Sequence, residues 1–176
     1  MIPFISYFYL QGRYDLALMM LLIAGFSDFF DGALARRYQW RTKLGAVLDP
    51  AADKFLMFVT YITLGWTHQL PFWSVAIVIF RDVYIVMGVL FLKLKKRQIP
   101  IRPILISKLN TFFQLALLSF SLLYSYVQMH QFLFLDYFEN TVFWAKQIAL
   151  FFVLVFTLAS GIHYTVVGWG ILKKDV

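Results

Sequence analysis

Residues 27–54 read SDFFDGALARRYQWRTKLGAVLDPAADK, and they set four aspartates, Asp28, Asp31, Asp49 and Asp53, inside or at the edge of apolar runs. A charged side chain in hydrocarbon costs about 2.5–3.5 kcal/mol on insertion scales. Meeting that cost repeatedly predicts a functional site. Asp28 and Asp31 are three apart and share a helix face; Asp49 and Asp53 are four apart and share a face one turn apart. The connector between them is short, so the two helices are expected to be antiparallel neighbours with all four carboxylates directed into one cavity. Alone, these groups would repel and some would take up protons. A divalent cation resolves this, and carboxylate oxygens suit hard ions such as Mg²⁺ or Mn²⁺. Four carboxylates suffice for two ions, the arrangement used for in-line phosphoryl displacement. Gly32, Ala33, Ala35, Gly45, Ala46, Ala51 and Ala52 lie among the acids. Such small residues admit a ligand or simply pack helices; Gly32 and Gly45, which flank carboxylates, fit the first role better. Pro50 cannot donate to the residue four earlier and is expected to bend or start its helix near Asp49.

The surroundings of this stretch are apolar. Of 176 residues, 61% are apolar and 14% charged, against about half and a quarter in a water-soluble domain. Lipid is therefore the expected solvent, for a single domain over residues 1–176. The absence of cysteine excludes disulfides, a thiol nucleophile and a cysteine metal site. The net charge of +7 would suggest nucleic acid in a soluble protein. Here the basic residues cluster at the ends of apolar runs, which points to anionic headgroups and phosphates instead.

The expected fold is all-α, a polytopic bundle of six transmembrane helices. The first apolar run, ending at Gln11-Gly12-Arg13, is about half the roughly 20 residues a crossing needs. It lacks a basic leader and a cleavage site, so it reads as the end of a spanning helix whose start is absent, not as a signal peptide. The others are expected near 14–36, 43–66, 72–92, 107–127 and 140–172. Thr67 to Pro71 break the chain, and Pro100 and Pro103 hold an extended connector. His130, Asp136 and Glu139 mark a wetter stretch before the last span. Trp66, Trp73, Tyr126, Tyr137 and Trp169 lie near span ends, as in an aromatic belt. Arg36, Arg37, Arg41, Lys43, the 93–108 cluster, Lys173 and Lys174 fall on one side; Arg13, with Lys146 near it, falls on the other. The positive-inside rule puts the first side in the cytoplasm of a bacterial inner membrane, or in the matrix of a mitochondrion.

Taken as one string, Asp28-x-x-Asp31-Gly32-x-x-Ala35-Arg36-x8-Gly45-x-x-x-Asp49-x-x-x-Asp53 resembles the CDP-alcohol phosphatidyltransferase signature at every fixed position. Eight specified residues over 26 positions are a specific signal. The resemblance implies a six-helix bundle that forms a homodimer, with Asp28, Asp31, Asp49 and Asp53 around one or two metals. It implies that Asp53 is the general base toward the acceptor hydroxyl, that Gly32, Ala35 and Gly45 contact cytidine, and that Arg36 contacts the diphosphate. CDP-diacylglycerol would be the donor and CMP the leaving group. Members usually begin with an amphipathic segment ahead of the proline matching Pro3, and that segment is missing here.

The acceptor is less sharply marked. Arg81-Asp82, and Ser107-Lys108-x-Asn110-Thr111-x-x-Gln114, resemble the CMP-forming cardiolipin synthase branch. Phosphatidylglycerophosphate synthases more often carry Arg-Glu at the first place and a second lysine where Asn110 stands. A neutral Asn110 suits a phosphodiester acceptor, phosphatidylglycerol, better than the phosphomonoester glycerol 3-phosphate. Another alcohol, such as inositol phosphate, serine or choline, is the remaining option. Lys108, Asn110 and Arg81 are the candidate acceptor contacts. The plainer reading makes Arg81 and Asp82 a structural pair; being adjacent, they are expected to need other partners. Lys93 to Arg97 read as a positive-inside anchor, and Lys54 either snorkels or holds phosphate. His68 and His130 read as interfacial loop residues, His163 as an interior histidine, and the phenylalanines as lipid-facing bulk. A small cation or proton transporter is the alternative from another class, since intramembrane acids also build ion pathways.

Overall fold

The structure is a computed structural model, and it describes residues 2–24, 27, 45–94, 105–130 and 136–173; the side chains of 2, 3, 45–53, 56, 93 and 172 are outside that description. The fold is all-α. Among the described residues, six helices run in chain order: α1 Ile2–Leu10, α2 Tyr14–Ala24, α3 Gly45–Trp66, α4 Phe72–Leu94, α5 Leu105–Met129 and α6 Asp136–Lys173. Among the described residues, three helices are long and apolar enough to cross a membrane: Phe72–Leu92 of α4, all of α5, and Asp136–Ile171 of α6. The protein is a helical membrane protein. α6 starts earlier than its apolar run: Asp136 and Glu139, expected in a connector, form its first turn. Carboxylates are favoured there by the exposed N–H groups of a helix start. α3 starts at Gly45, so Pro50 lies in its second turn rather than opening it.

The chain divides into two compact units, one of Met1–Leu70 with Leu118–Phe143, the other of Pro71–Leu117 with Trp144–Val176. In the first, α1 lies against α3. Ile5 and Tyr9, one turn apart, are buried. The Tyr9 hydroxyl pairs with Ser125 Oγ at 2.8 Å, tying α1 to the second half of α5. Two helix ends here use the same backbone device. After α1, Gly12 has φ 72°; its N–H bonds to Tyr9 O at 3.0 Å and that of Arg13 to Phe8 O at 2.9 Å. After α3, His68 has φ 58°; its N–H bonds to Gly65 O at 3.1 Å and that of Gln69 to Leu64 O at 3.0 Å. Both are Schellman caps, which satisfy terminal carbonyls by turning one residue left-handed. His68 is thus the capping residue of the expected break.

In the second unit, side-chain pairs fix the directions. Arg81 meets Ser160 and Tyr84 meets Thr165, so α4 and α6 run parallel. Arg81 also meets Ser107, while Thr157 meets Asn110, so α5 runs antiparallel to both. Phe113 of α5 stacks on Phe152 and Phe156 of α6, with ring centroids 4.8 and 5.3 Å apart. Those three phenylalanines pack between helices instead of serving only as lipid-facing bulk; Phe72, Phe80, Phe112 and Phe151 do face outward. α5 buries polar residues beside apolar ones: Asn110, Gln114, Ser121 and Ser125 are buried along with Leu117, Leu118 and Leu122, whereas Leu105, Leu109, Phe112 and Leu115 are exposed. Polar residues turned inward while leucine and phenylalanine face out fit a lipid surround, where polar groups must find partners inside the protein. Hydroxyls along the spans also bond back to their own helices, as Ser125 does to Ser121 O and Thr165 to Gly161 O.

Candidate functional site

The N-terminal half of the aspartate string, Asp28, Asp31, Gly32, Ala35 and Arg36, lies outside the described residues. Gly45, Asp49 and Asp53 are all on α3, a continuous helix from Gly45 to Trp66. Asp49 and Asp53 therefore occupy register positions one turn apart, on one face. Their side chains, and that of Gly45's neighbour Ala46, are not among those described. Lys54 is partly exposed. The donor chemistry of this set fits a hard divalent ion, because aspartate offers only oxygen. Among the described residues, no group of three or more His, Cys, Asp or Glu side chains gathers.

The acceptor candidates fall in the second unit, where the structure draws two of them into a buried polar cluster. Arg81 and Asp82 are 7% and 5% exposed. Arg81 Nη1 donates to Asp82 Oδ1, which corrects the expectation that neighbours on a helix cannot meet. The arginine side chain is long enough to fold back over its own backbone. Its Nε donates to Ser160 Oγ at 2.9 Å, and Nη2 reaches Ser107 Oγ at 3.4 Å. Ser160 Oγ spends its own proton on Thr157 O, at 3.0 Å. One turn along, Thr157 Oγ1 donates to Asn110 Oδ1 at 3.0 Å. Asn110 is fully buried, and its Nδ2 has no hydrogen-bond partner among the described residues. An unsatisfied buried donor costs about 1–3 kcal/mol. Lys108 is exposed on the first turns of α5 and takes no part in these bonds.

Behind this cluster, an open groove of about 730 Å³ runs between α4 and α6, lined by residues including Ile77, Phe80, Tyr84, Leu158, Gly161 and Ile162. A Cβ at Gly161 would meet Arg81 Cγ at 3.9 Å, so the arginine stem passes beneath that glycine. Arg81 thereby shows its methylenes to the groove and its guanidinium to the polar cluster.

Thr157 and Ser160 were not marked out by sequence reasoning. The signal was present, because the buried residues of α6 (Val142, Lys146, Ala149, Val153, Thr157, Ser160) recur at intervals of three and four. Lys146, expected near the membrane surface, is among them and is 6% exposed. His163 is exposed rather than interior.

The structure is thus that of a helical membrane protein with Asp49 and Asp53 one turn apart along α3 and a buried polar cluster around Arg81. The comparisons make the assignment specific. Residues 1–159 match the sequence profile of the CDP-alcohol phosphatidyltransferase family. The chain belongs to that family. It is 36% identical over 136 residues to a Drosophila melanogaster protein named probable cardiolipin synthase (CMP-forming), covering 68% of this chain and 42% of that one. It is 30% identical over 136 residues to the human cardiolipin synthase (CMP-forming), covering 68% and 45%. With the Aquifex aeolicus CDP-diacylglycerol–glycerol-3-phosphate 3-phosphatidyltransferase it shares 30% identity over 179 residues, covering 98% and 92%. The chain thus spans less than half the length of the two cardiolipin synthases.

Proposed function

We propose that this protein transfers the phosphatidyl group of CDP-diacylglycerol to phosphatidylglycerol, releasing CMP and forming cardiolipin. The observation that carries the reaction is the complete aspartate string from Asp28 to Asp53, whose second half occupies one face of α3. Asp28, Asp31, Asp49 and Asp53 would hold one or two Mg²⁺ or Mn²⁺ ions, which when bound neutralise the diphosphate and the departing CMP. Gly32, Ala35 and Gly45 leave room for the cytidine, and Arg36 pairs with the diphosphate. Asp53 takes the proton of the acceptor hydroxyl. The freed oxygen attacks the phosphatidyl phosphorus in line, and the bond to CMP breaks. General-base help of this kind is worth roughly 10²–10⁴-fold.

The names of the Drosophila and human relatives and the neutral Asn110 support phosphatidylglycerol as acceptor. Arg81 and Asn110 would contact its headgroup, with Lys108 drawing the anionic lipid from the surface. The near full-length match to the Aquifex protein favours a second reading, glycerol 3-phosphate as acceptor and phosphatidylglycerophosphate as product. In either case the chain works as a six-span homodimer in the bacterial inner membrane. The parallel α4 and α6 then both end at the cytoplasm, where Lys173 closes α6.

The test is to give the purified chain CDP-diacylglycerol with Mg²⁺ or Mn²⁺ and follow CMP, with phosphatidylglycerol and glycerol 3-phosphate in parallel. CMP with the first acceptor and not the second is the expected result. CMP only with the second would replace the acceptor. No CMP with any alcohol, together with metal-dependent ion flux, would replace the enzyme reading with a transporter.

A further inference from the structure

The two ends of the Asn110 amide have different surroundings. Oδ1 accepts a hydrogen bond from Thr157 Oγ1 at 3.0 Å, while Nδ2 is buried with no partner among the described residues. A buried primary amide that spends its acceptor and leaves both donors free is arranged for a ligand that brings oxygen atoms. We infer that Thr157, on the last helix, is a positioning residue for the acceptor: its hydroxyl holds the Asn110 amide with the N–H₂ end available to a phosphate or hydroxyl oxygen. This rests on the reading of Asn110 as an acceptor contact.

The directions of the surrounding bonds sustain that orientation. Thr157 donates its proton to Oδ1, so turning the amide over would forfeit that bond and leave the hydroxyl proton to find another acceptor. One turn on, Ser160 directs its proton to Thr157 O and keeps a lone pair for Arg81 Nε. The α6 hydroxyls therefore hold both cationic and neutral donors of the cluster from the same side. Without the Thr157 hydroxyl the amide is free to rotate, and its carbonyl oxygen would then oppose an anionic acceptor. A lipid headgroup and free glycerol 3-phosphate share this chemistry, and both are offered in the test.

The experiment compares the wild-type chain with Thr157→Val, Thr157→Ser and Asn110→Ala in membranes of defined lipid. It reads KM for phosphatidylglycerol, for glycerol 3-phosphate and for CDP-diacylglycerol, together with direct binding of each acceptor and thermal unfolding. Thr157→Val is isosteric and lacks the hydroxyl. It is expected to raise acceptor KM and Kd about tenfold, leave KM for CDP-diacylglycerol unchanged, and be rescued by Thr157→Ser. If Asn110→Ala weakens acceptor binding and Thr157→Val does not, the role of Thr157 is overturned while the acceptor reading stands. If Thr157→Val raises KM for both substrates in step with a lower unfolding temperature, its role is packing and the inference fails. If Asn110→Ala changes neither acceptor, the acceptor reading itself falls.

Discussion

Asp49 and Asp53 on α3 and Arg81 and Asp82 on α4 are both charged pairs within apolar helices, yet they meet the membrane in opposite ways. The first pair has one sign, one turn apart, so its two members repel unless a cation or a proton relieves them. The second pair has two signs and closes on itself, with Ser160 and Ser107 taking further arginine protons. A pair of the first kind stores a demand for a ligand. A pair of the second kind stores rigidity, and its guanidinium is held in place before any ligand arrives.

The comparison can be broken most sharply at Asp53. Asp53→Asn should cut CMP release by at least about 10²–10⁴-fold, with unchanged or higher thermal stability, since it relieves like-charge repulsion. Near-normal turnover would remove it as the base. The opposite result is expected at Arg81. Arg81→Met leaves the Asp82 carboxylate buried without its cation and should cost about 3–5 kcal/mol, read as a lowered unfolding temperature in detergent. Arg81→Met with Asp82→Leu should recover much of that loss, which would not happen if the pair were a ligand site alone. Ser160→Ala should cost less, about 1.5–3 kcal/mol, the range for a hydrogen bond to a charged group. A smaller effect, free of charge, serves as the baseline. Gly12→Ala places a Cβ on a left-handed residue with open space around it, so only backbone strain opposes it, about 1–2 kcal/mol. His68→Gly should move the other way by a similar amount, measured by the same unfolding assay.

Much of the helical layout was legible because apolar runs, Thr67 to Pro71 and the terminal charges mark where the helices begin and end. α3, α4 and α5 fall within two residues of their expected bounds. The start of α6 did not, because Asp136 and Glu139 look like loop residues to hydropathy, although a helix N-terminus welcomes them. The aspartate string stands out in the sequence because its residue types are costly and its spacing is fixed, and the structure adds only the helix that carries Asp49 and Asp53. The Arg81 cluster was half legible. Arg81 and Asn110 stood out as polar residues in apolar helices, whereas Thr157 and Ser160 did not. Hydroxyls that bond back to their own helix are common in spans, so only the position of Asn110 across from Thr157 gives that one meaning.

The buried amides of α5 bear on how the chain is made. Of the three candidate spans it is the least apolar, because its amides and serines turn inward. Emerging alone from a ribosome into a translocation channel, it would offer lipid an asparagine and a glutamine that no neighbour yet covers. Its entry should therefore await a companion segment, and nascent chains stopped just after residue 130 are expected to leave α5 accessible to aqueous labelling until α6 has been synthesised.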